Sequence, residues 1–214
     1  MRSIALSLVA LLGISACSAA DGADQSQGAS ARALDVLERT RKVDGTYALY
    51  IWNRITPRDK EPTEEWSAEF HSGDLHRVET PRDRLIANCR AGTGVALSLV
   101  TGEVVEGPQV AGAACGINRN RPMISAEWLG RVSTPMGEAD RVRVVDRDNV
   151  RQYDVSREGV LLGATYAENR PGRYLVLTAE AMKLDSALPH ADMFDRKSLQ
   201  ESFVPHQFRE RLAR

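Results

Sequence analysis

Short segments of alternating polarity, separated by turn residues, recur along most of this 214-residue chain and constrain its fold more than any other feature. In Glu65-Trp66-Ser67-Ala68-Glu69-Phe70-His71 every second residue from Trp66 is small or apolar, the two-residue period of a strand with one buried face. Trp66, Ala68 and Phe70 are expected to point inward and the charges outward. Ser72-Gly73-Asp74 then turns the chain into Leu75 to Thr80, so the pair reads as a hairpin. Thr46 to Ile55 is apolar on both faces, with Tyr47, Leu49 and Ile51 on one and Tyr50 and Trp52 on the other. Such a strand is expected to be covered on both sides.

Further strands are expected at Arg84 to Cys89, Val95 to Val100, Glu103 to Glu106, Arg141 to Asp146, Arg151 to Val155, Val160 to Tyr166 and Tyr174 to Thr178. Ala91-Gly92, Asp148-Asn149, Glu158-Gly159 and Arg170-Pro171-Gly172 supply the turns between them. One helix precedes the strands, about Ala31 to Lys42, with Ser30 as its cap and Gly45 beyond its end. Gly107 to Pro122 breaks the pattern, and Ile124 to Val132, carrying Trp128, reads as a second short helix. Leu199, Phe203 and Phe208 mark a short docking helix in the charged C-terminal end. The expected fold is mainly β (α+β): a curved antiparallel sheet of about eight to ten strands, or an unclosed half-barrel. A sheet this wide curls, and the N-terminal helix is expected to cover its open side.

The N-terminus carries an address. Arg2 precedes an apolar run from Ile4 to Ile14, followed by Ser15-Ala16-Cys17-Ser18-Ala19-Ala20. That run is too short to span a bilayer, which needs about 20 apolar residues. Ile14-Ser15-Ala16-Cys17 resembles a bacterial lipobox, which makes Cys17 the lipidation site and new N-terminus, bearing acyl chains such as palmitate. The alternative is an ordinary signal peptide cut after Ala19 or Ala20. Ser18 after the lipid site, by the same resemblance, implies sorting to the outer membrane. Residues 1–16 are then signal peptide, 17–30 anchor and flexible tether, and 31–214 a single β domain with a charged tail. Asp21 to Ala31 is too polar and small to order itself, and its reach is roughly 17–20 Å.

Cys89 and Cys115 remain, and in an oxidising envelope two such cysteines are expected to pair as a structural disulfide; two free buried thiols are the alternative. No C-x-x-C motif supports a redox role.

Lys and Arg number 28 against 29 Asp and Glu, a formal net charge of -1, so nothing drives binding to nucleic acid. The G-x-S-x-G, S-x-x-K, P-loop, H-E-x-x-H and G-x-G-x-x-G signatures do not occur, so no catalytic residue, cofactor or resident metal is expected. His71 and His76 flank the hairpin turn; a shared metal is one reading, and two polar residues at a hairpin tip is the preferred one because no third ligand is evident. Glu64 with Glu65, and Asp146 with Asp148, are expected to be solvated beside turns rather than to act as acid/base pairs. Asp146-Arg147-Asp148-Asn149 has oxygen donors but lacks the later Gly and Glu of an EF-hand, and reads as a turn.

The opening helix, the strand Gly45-Thr46-Tyr47-Ala48-Leu49-Tyr50-Ile51, the Trp66 to Thr80 hairpin and the late pair Gln152-Tyr153-Asp154-Val155 and Val160-Leu161-Leu162-Gly163-Ala164 together give a pattern, closed by Ala191-Asp192-Met193-Phe194. In this order they resemble the superfamily of periplasmic lipoprotein carriers and outer-membrane lipoprotein receptors, LolA and LolB, with the related domain of RseB-type envelope-stress regulators. The resemblance implies an unclosed barrel with a helical lid, whose apolar cavity receives acyl chains or a lipidated partner. The candidate lining is Trp52, Trp66, Phe70, Tyr153 and Tyr166, with a filled core as the alternative. The expected function is that of a non-enzymatic lipoprotein facing the periplasm. It is held to the membrane by its N-terminal lipid and binds an acyl chain, a lipoprotein or another envelope component. The alternative is a protein-interaction or regulatory module with an envelope protein as partner; an unrecognised hydrolase is third.

Overall fold

The computed structural model describes residues 28–117, 123–168 and 175–210. The signal segment and Cys17 lie outside them. The described elements run β1 (Gly28–Ala29), α1 (Ala31–Arg39), β2 (Thr46–Pro57), β3 (Thr63–Ser72), β4 (Leu75–Glu79), β5 (Asp83–Asn88), β6 (Thr93–Ser98), β7 (Val104–Glu106), α2 (Pro108–Ala114), β8 (Met123–Thr134), β9 (Gly137–Asp146), β10 (Asn149–Val155), β11 (Leu161–Glu168) and β12 (Leu175–Asp185). Two 3-10 turns, Ala191–Phe194 and Arg196–Gln200, and a one-turn α3 (His206–Arg209) follow. The strands form one sheet in the order β1-β8-β9-β10-β11-β12-β2-β3-β4-β5-β6-β7. Every neighbouring pair is antiparallel except the two-residue β1 on β8. The expected half-barrel is present, with more strands than the eight to ten expected.

Sheet curvature follows from which side chains meet. Tyr47, Leu49 and Ile51 of β2 share one packed cluster with Ala139 of β9 and Val132 of β8. Those strands lie four and five places away, about 19–24 Å on a flat sheet. The sheet therefore bends toward this inner face. Helix α1 lies over β8 and β9 there, burying Ala33, Val36 and Leu37 against Val142, Val144 and Tyr153. Ser30 caps it, its hydroxyl accepting from the Ala33 N–H at 3.2 Å. Helix α2 covers the other wall, on β5 and β6, and the Thr40 hydroxyl accepts from the Ile117 N–H, so the ends of the two helices meet over the sheet. A Cβ on Gly116, at φ +74°, would come within 2.8 Å of the Thr40 carbonyl oxygen, which is why the junction needs glycine.

The face opposite is covered by the C-terminal segment, which the sequence reading expected only as a short docking helix. Met193 and Val204, with Phe194, Phe203 and Phe208 alongside, pack on Ala48, Tyr50, Trp66, Ala68 and Phe70. Beta2 is thus covered on both sides, as its apolar faces require.

Two expectations are corrected. Ile124 to Val132 is not a helix but the middle of β8, paired with β9 across the tight turn before Gly137 (φ +122°). Register shifts at Met123/Ser125 and at Trp128/Gly130 break its alternation, so the apolar spacing imitates a helix. Gly107 to Pro122, which breaks the strand pattern, contains α2, with Pro108 at its first position where the missing N–H costs no hydrogen bond. Beta12 also runs longer than expected, to Asp185; its Ala, Glu, Met and Lys favour helix, but ten register pairs with β2 override them.

Candidate functional site

On the inner face, between the wall under α1 and the wall under α2, the floor is formed by β12, β2, β3 and β4. Register places Leu49 of β2, Glu69 of β3 and Val78 of β4 in one row. A second row holds Tyr166 of β11, Leu177 of β12 and Ile55 of β2, all half-buried. Glu69 is the acidic group of the first row: its side chain keeps 23% of its surface accessible, and burial pushes its carboxyl up to about 7. Tyr166, half-buried, has its hydroxyl pKa raised chiefly by burial and further by Tyr153 and by the charge of Glu69. Register sets Tyr166 level with Ile55 and Glu69 level with Leu49, so on a flat sheet the two would stand three strands and six residues apart, roughly 25 Å.

On this face the polar groups are few and mostly engaged. His76 Nε2 lies 3.9 Å from Glu69 Oε2, and His76 Nδ1 lies 3.3 Å from His71 Nδ1. His71 Nε2 is 3.1 Å from the Val43 carbonyl, and its ring stacks on Tyr47. Burial, with the neighbouring His71, brings His76 down to about 3, and burial also lowers His71, so both imidazoles are neutral near pH 7. On the other wall Arg151 sits 3.0 Å from Asp146 and donates to the Tyr153 hydroxyl at 3.5 Å, while its Nε has no hydrogen-bond partner among the described residues. Tyr153 and Tyr166 meet edge to face, centroids 5.8 Å apart. Apolar walls with a handful of convergent polar groups are the usual make-up of a small-ligand site.

The five expected lining residues do not sit together. Tyr153 and Tyr166 are on the inner face, whereas Trp52, Trp66 and Phe70 are on the outer one under the C-terminal segment. Trp128, expected on a helix, lies on the inner face instead, with Arg32 stacked on its ring at 3.8 Å and its indole N–H donating to Asp140 at 2.9 Å. Cys89 and Cys115 form a disulfide that fixes the C-terminal end of α2 to the end of β5.

Three local expectations are corrected. His71 and His76 are not polar residues at an exposed tip but a buried pair, because the sheet curls over them. They make no group of three metal-ligating side chains among the described residues. Asp146 is buried rather than solvated: its Oδ1 accepts from the backbone N–H of Asp148 and Asn149, and Arg151 balances its charge. Glu65 is half-buried within β3, and burial raises its pKa, whereas Glu64 faces out toward Arg54. Sequence reasoning missed Glu69, assigned by alternation to a solvated face, and Arg151, which it named only as the start of a strand. The available signal was β2: a strand apolar on both faces has covered neighbours, so the polar face of β3 is buried too.

Two open depressions lie elsewhere on the surface. One, about 470 Å³, is lined by Arg32, Asp35, Val36, Arg39, Asp140 and Arg157 beside α1, and its charges are largely paired with each other. The other, about 350 Å³, lies beside β7 and is lined by Leu97, Val104, Arg196, Lys197, Leu199 and Gln200. Neither is lined by Glu69, Tyr153 or Tyr166.

No family model matches the sequence, and no curated protein matches it. Solved structures do match. An uncharacterized conserved protein from Thermus thermophilus is 11% identical with a TM-score of 0.52, over 77% of this chain and 93% of that one. A LolA superfamily protein from Nitrosomonas europaea is 9% identical with a TM-score of 0.43, over 78% and 99%. A chain of the Pseudomonas aeruginosa MucA/MucB complex is 13% identical with a TM-score of 0.49, over 77% and 61%. Of these three only the first exceeds a TM-score of 0.5, and the likeness it carries is one of fold.

Proposed function

We propose that this chain is a non-enzymatic, lipid-anchored protein of the cell envelope, attached through Cys17 to the outer membrane on its periplasmic side, which binds an acyl chain or a lipidated partner on the inner face of its half-barrel. The observation that carries this reading is the half-barrel itself: a curved sheet with α1 over β8 and β9, α2 over β5 and β6, and the half-buried Tyr166, Leu177 and Ile55 in one row on the inner face between them. The Ile14-Ser15-Ala16-Cys17 segment supplies the address.

Titrating the soluble chain, starting after residue 17, with a diacylated lipopeptide at pH 5.5 is expected to give a saturable change in tryptophan fluorescence, with Trp128 on the inner face as reporter. A flat titration, with circular dichroism showing a folded protein, removes the ligand site. For placement, Cys17→Ser is expected to move the full-length protein from the membrane fraction to the soluble periplasm; unchanged sedimentation with membranes defeats the lipid anchor.

A second reading, a module that docks a partner protein, is favoured by one feature of the opposite edge. Leu99, Val100 and Val104 are exposed together at the β6–β7 turn, beside the open depression at Arg196 and Lys197. Capture of one stoichiometric envelope protein that is lost on Val100→Lys, with lipopeptide binding intact, separates the two readings.

A further inference from the structure

The sheet ends on one side at β7, and its pairing with β6 sets what that end presents. Ser98 N–H donates to the Glu103 carbonyl at 2.9 Å, and Gly107 N–H donates to the Gly94 carbonyl at 2.9 Å. Hydrogen-bonded and non-hydrogen-bonded pairs alternate along an antiparallel ladder, so Ala96 with Val105 is the hydrogen-bonded pair between them. Val104 and Glu106 belong to the other set. Their backbone N–H and C=O groups point away from β6, to a side where the sheet has no further strand among the described residues. The Glu106 carbonyl accepts from the Gln109 side chain at 2.8 Å. The Val104 N–H, the Val104 C=O and the Glu106 N–H thus stand on the open side in the spacing of a strand ladder.

The same alternation sorts the side chains. A Cβ on Gly94 would meet Val110 of α2, so Gly94, Ala96 and Val105 face that helix, while Leu97, Val104 and Glu106 face the C-terminal segment. There Leu97 packs on Leu199, and the two share with Val104, Arg196 and Lys197 the open depression of about 350 Å³, at the small end of ligand pockets. One bank of this groove is a strand edge, its floor is apolar, and the other bank is the 3-10 turn Arg196–Gln200 with its two cations. Arg196 pairs with Glu106, whereas Lys197 has no carboxylate partner among the described residues. Sheet edges are ordinarily blunted by a charge, a proline or a bulge. Val104 and Val105 supply none of these, and Val104 stays 47% exposed beside Leu99 and Val100. Pro108 opens α2 just beyond Glu106, so the edge admits only a short segment.

We infer that the β7 edge takes up an extended, acidic segment of a partner protein as an added antiparallel strand. Val104 exchanges both backbone hydrogen bonds with one residue of that segment, whose apolar side chain lies on Leu97, Val104 and Leu199, and a carboxylate two residues along reaches Lys197. This rests on the reading of this edge as a protein-docking surface and names what docks there. A residue directly opposite Val104 projects its side chain on the same face as Val104, which is the groove side, and residues two apart share that face. The recognised pattern is therefore an apolar residue with Asp or Glu two positions away. Backbone pairing holds the segment, and the alternate side chains select it. A lipid surface offers no row of amide donors and acceptors to match the edge.

The test selects heptapeptides from a randomised phage-displayed library on the full chain held in detergent, with Val104→Pro as the counter-target. Proline there removes an N–H that the β6 ladder does not use, so the variant is expected to keep the thermal midpoint of the wild type. Enriched peptides are expected to carry Asp or Glu two positions from an apolar residue and to bind Val104→Pro about tenfold more weakly, the effect of one lost backbone bond. Lys197→Glu is expected to weaken them about fivefold. Should Val104→Pro fail to fold, N-methylation of the peptide at its apolar residue removes the other bond of the pair and is expected to cost as much. Bound peptide is also expected to slow hydrogen exchange over residues 99–107. Peptides that are lost on Val100→Lys yet bind Val104→Pro as well as the wild type overturn the added strand and leave the docking surface standing. Peptides indifferent to both substitutions, or none enriched, remove the surface and the strand together. Enrichment of Lys and Arg in place of Asp and Glu overturns the acidic partner, and a wild-type dimer that Val104→Pro dissolves gives the edge to a second copy instead.

Discussion

Replacing Arg77 by methionine is expected to cost about 3–5 kcal/mol of stability, the range for breaking one side of a buried ion pair. Arg77 has no solvent-exposed surface, and neither has Glu79, whose Oε1 accepts from Arg77 Nε at 2.8 Å. The other guanidinium nitrogens donate to the carbonyl oxygens of Met193, Ser198 and Glu201 and to the Ser198 hydroxyl. Glu79 in turn accepts from the Ser202 hydroxyl and the Phe203 N–H, and pairs with Arg84 at 3.3 Å. The sheet thus holds the C-terminal segment by charge-assisted hydrogen bonds to its backbone, and the apolar contact of Met193 and Val204 closes over them. Burial works against the Arg77 charge, and Glu79 counters it. Methionine fills the volume but removes the charge-assisted bonds, leaving the carbonyls of Met193, Ser198 and Glu201 with only the Ser198 hydroxyl, the Glu201 N–H and Arg84 Nε as donors, and Glu79 with a weaker set of partners. Urea unfolding measures the loss, and limited proteolysis is expected to cut first between residues 186 and 210. In a double-mutant cycle with Glu79→Gln, the double variant is expected to lose less than the sum of the singles. A loss below about 1 kcal/mol for Arg77→Met would show that apolar packing holds the segment without the network.

Removing the Cys89–Cys115 bond is expected to have the next largest effect. The residues are 26 apart, and closing a loop of that size restricts the unfolded chain by about 3–4 kcal/mol in the chain-entropy account. Its structural consequence is local. Alpha2 has seven residues and no side-chain cap, too few for independent stability, and it is held to the sheet by Ala111 and Ala114 against Ala87 and Leu85. Gly94 beneath it is required for the approach, since a Cβ there would lie 2.8 Å from Val110 Cγ1. With both cysteines changed to serine, the urea midpoint is expected to fall while the tryptophan fluorescence spectrum in the absence of denaturant stays the same. Reductant is expected to lower the wild-type midpoint to that of the variant and to leave the variant unmoved. A variant midpoint equal to that of the oxidised wild type would show that the bond adds nothing to the packing of α2.

Much of the fold was legible because antiparallel strands are local structures. The β3–β4 hairpin, the turn at Asp146 to Asn149 and the cap at Ser30 depend on residues within a few positions of each other, and each formed where expected. Bulges were not legible: at Trp128/Gly130 the register slips against β9, and slippage is a property of the pair rather than of β8. Of the candidate site, Tyr153 and Tyr166 were found through their aromatic character. Glu69, Arg151 and Arg77 were not, because a charged residue in an alternating strand is assigned to solvent unless another element covers that face.

The sequence by itself determined most of the strands, their turns, the helix in front of them, and the two cysteines left for pairing, all consequences of side-chain period and residue chemistry. Only the tertiary structure decided what each strand face meets. A two-residue period separates two faces but does not say which one the sheet curls around. That curvature, set by contacts between strands four and five places apart, put Trp66 and Phe70 beneath the C-terminal segment and left Glu69 on the inner face.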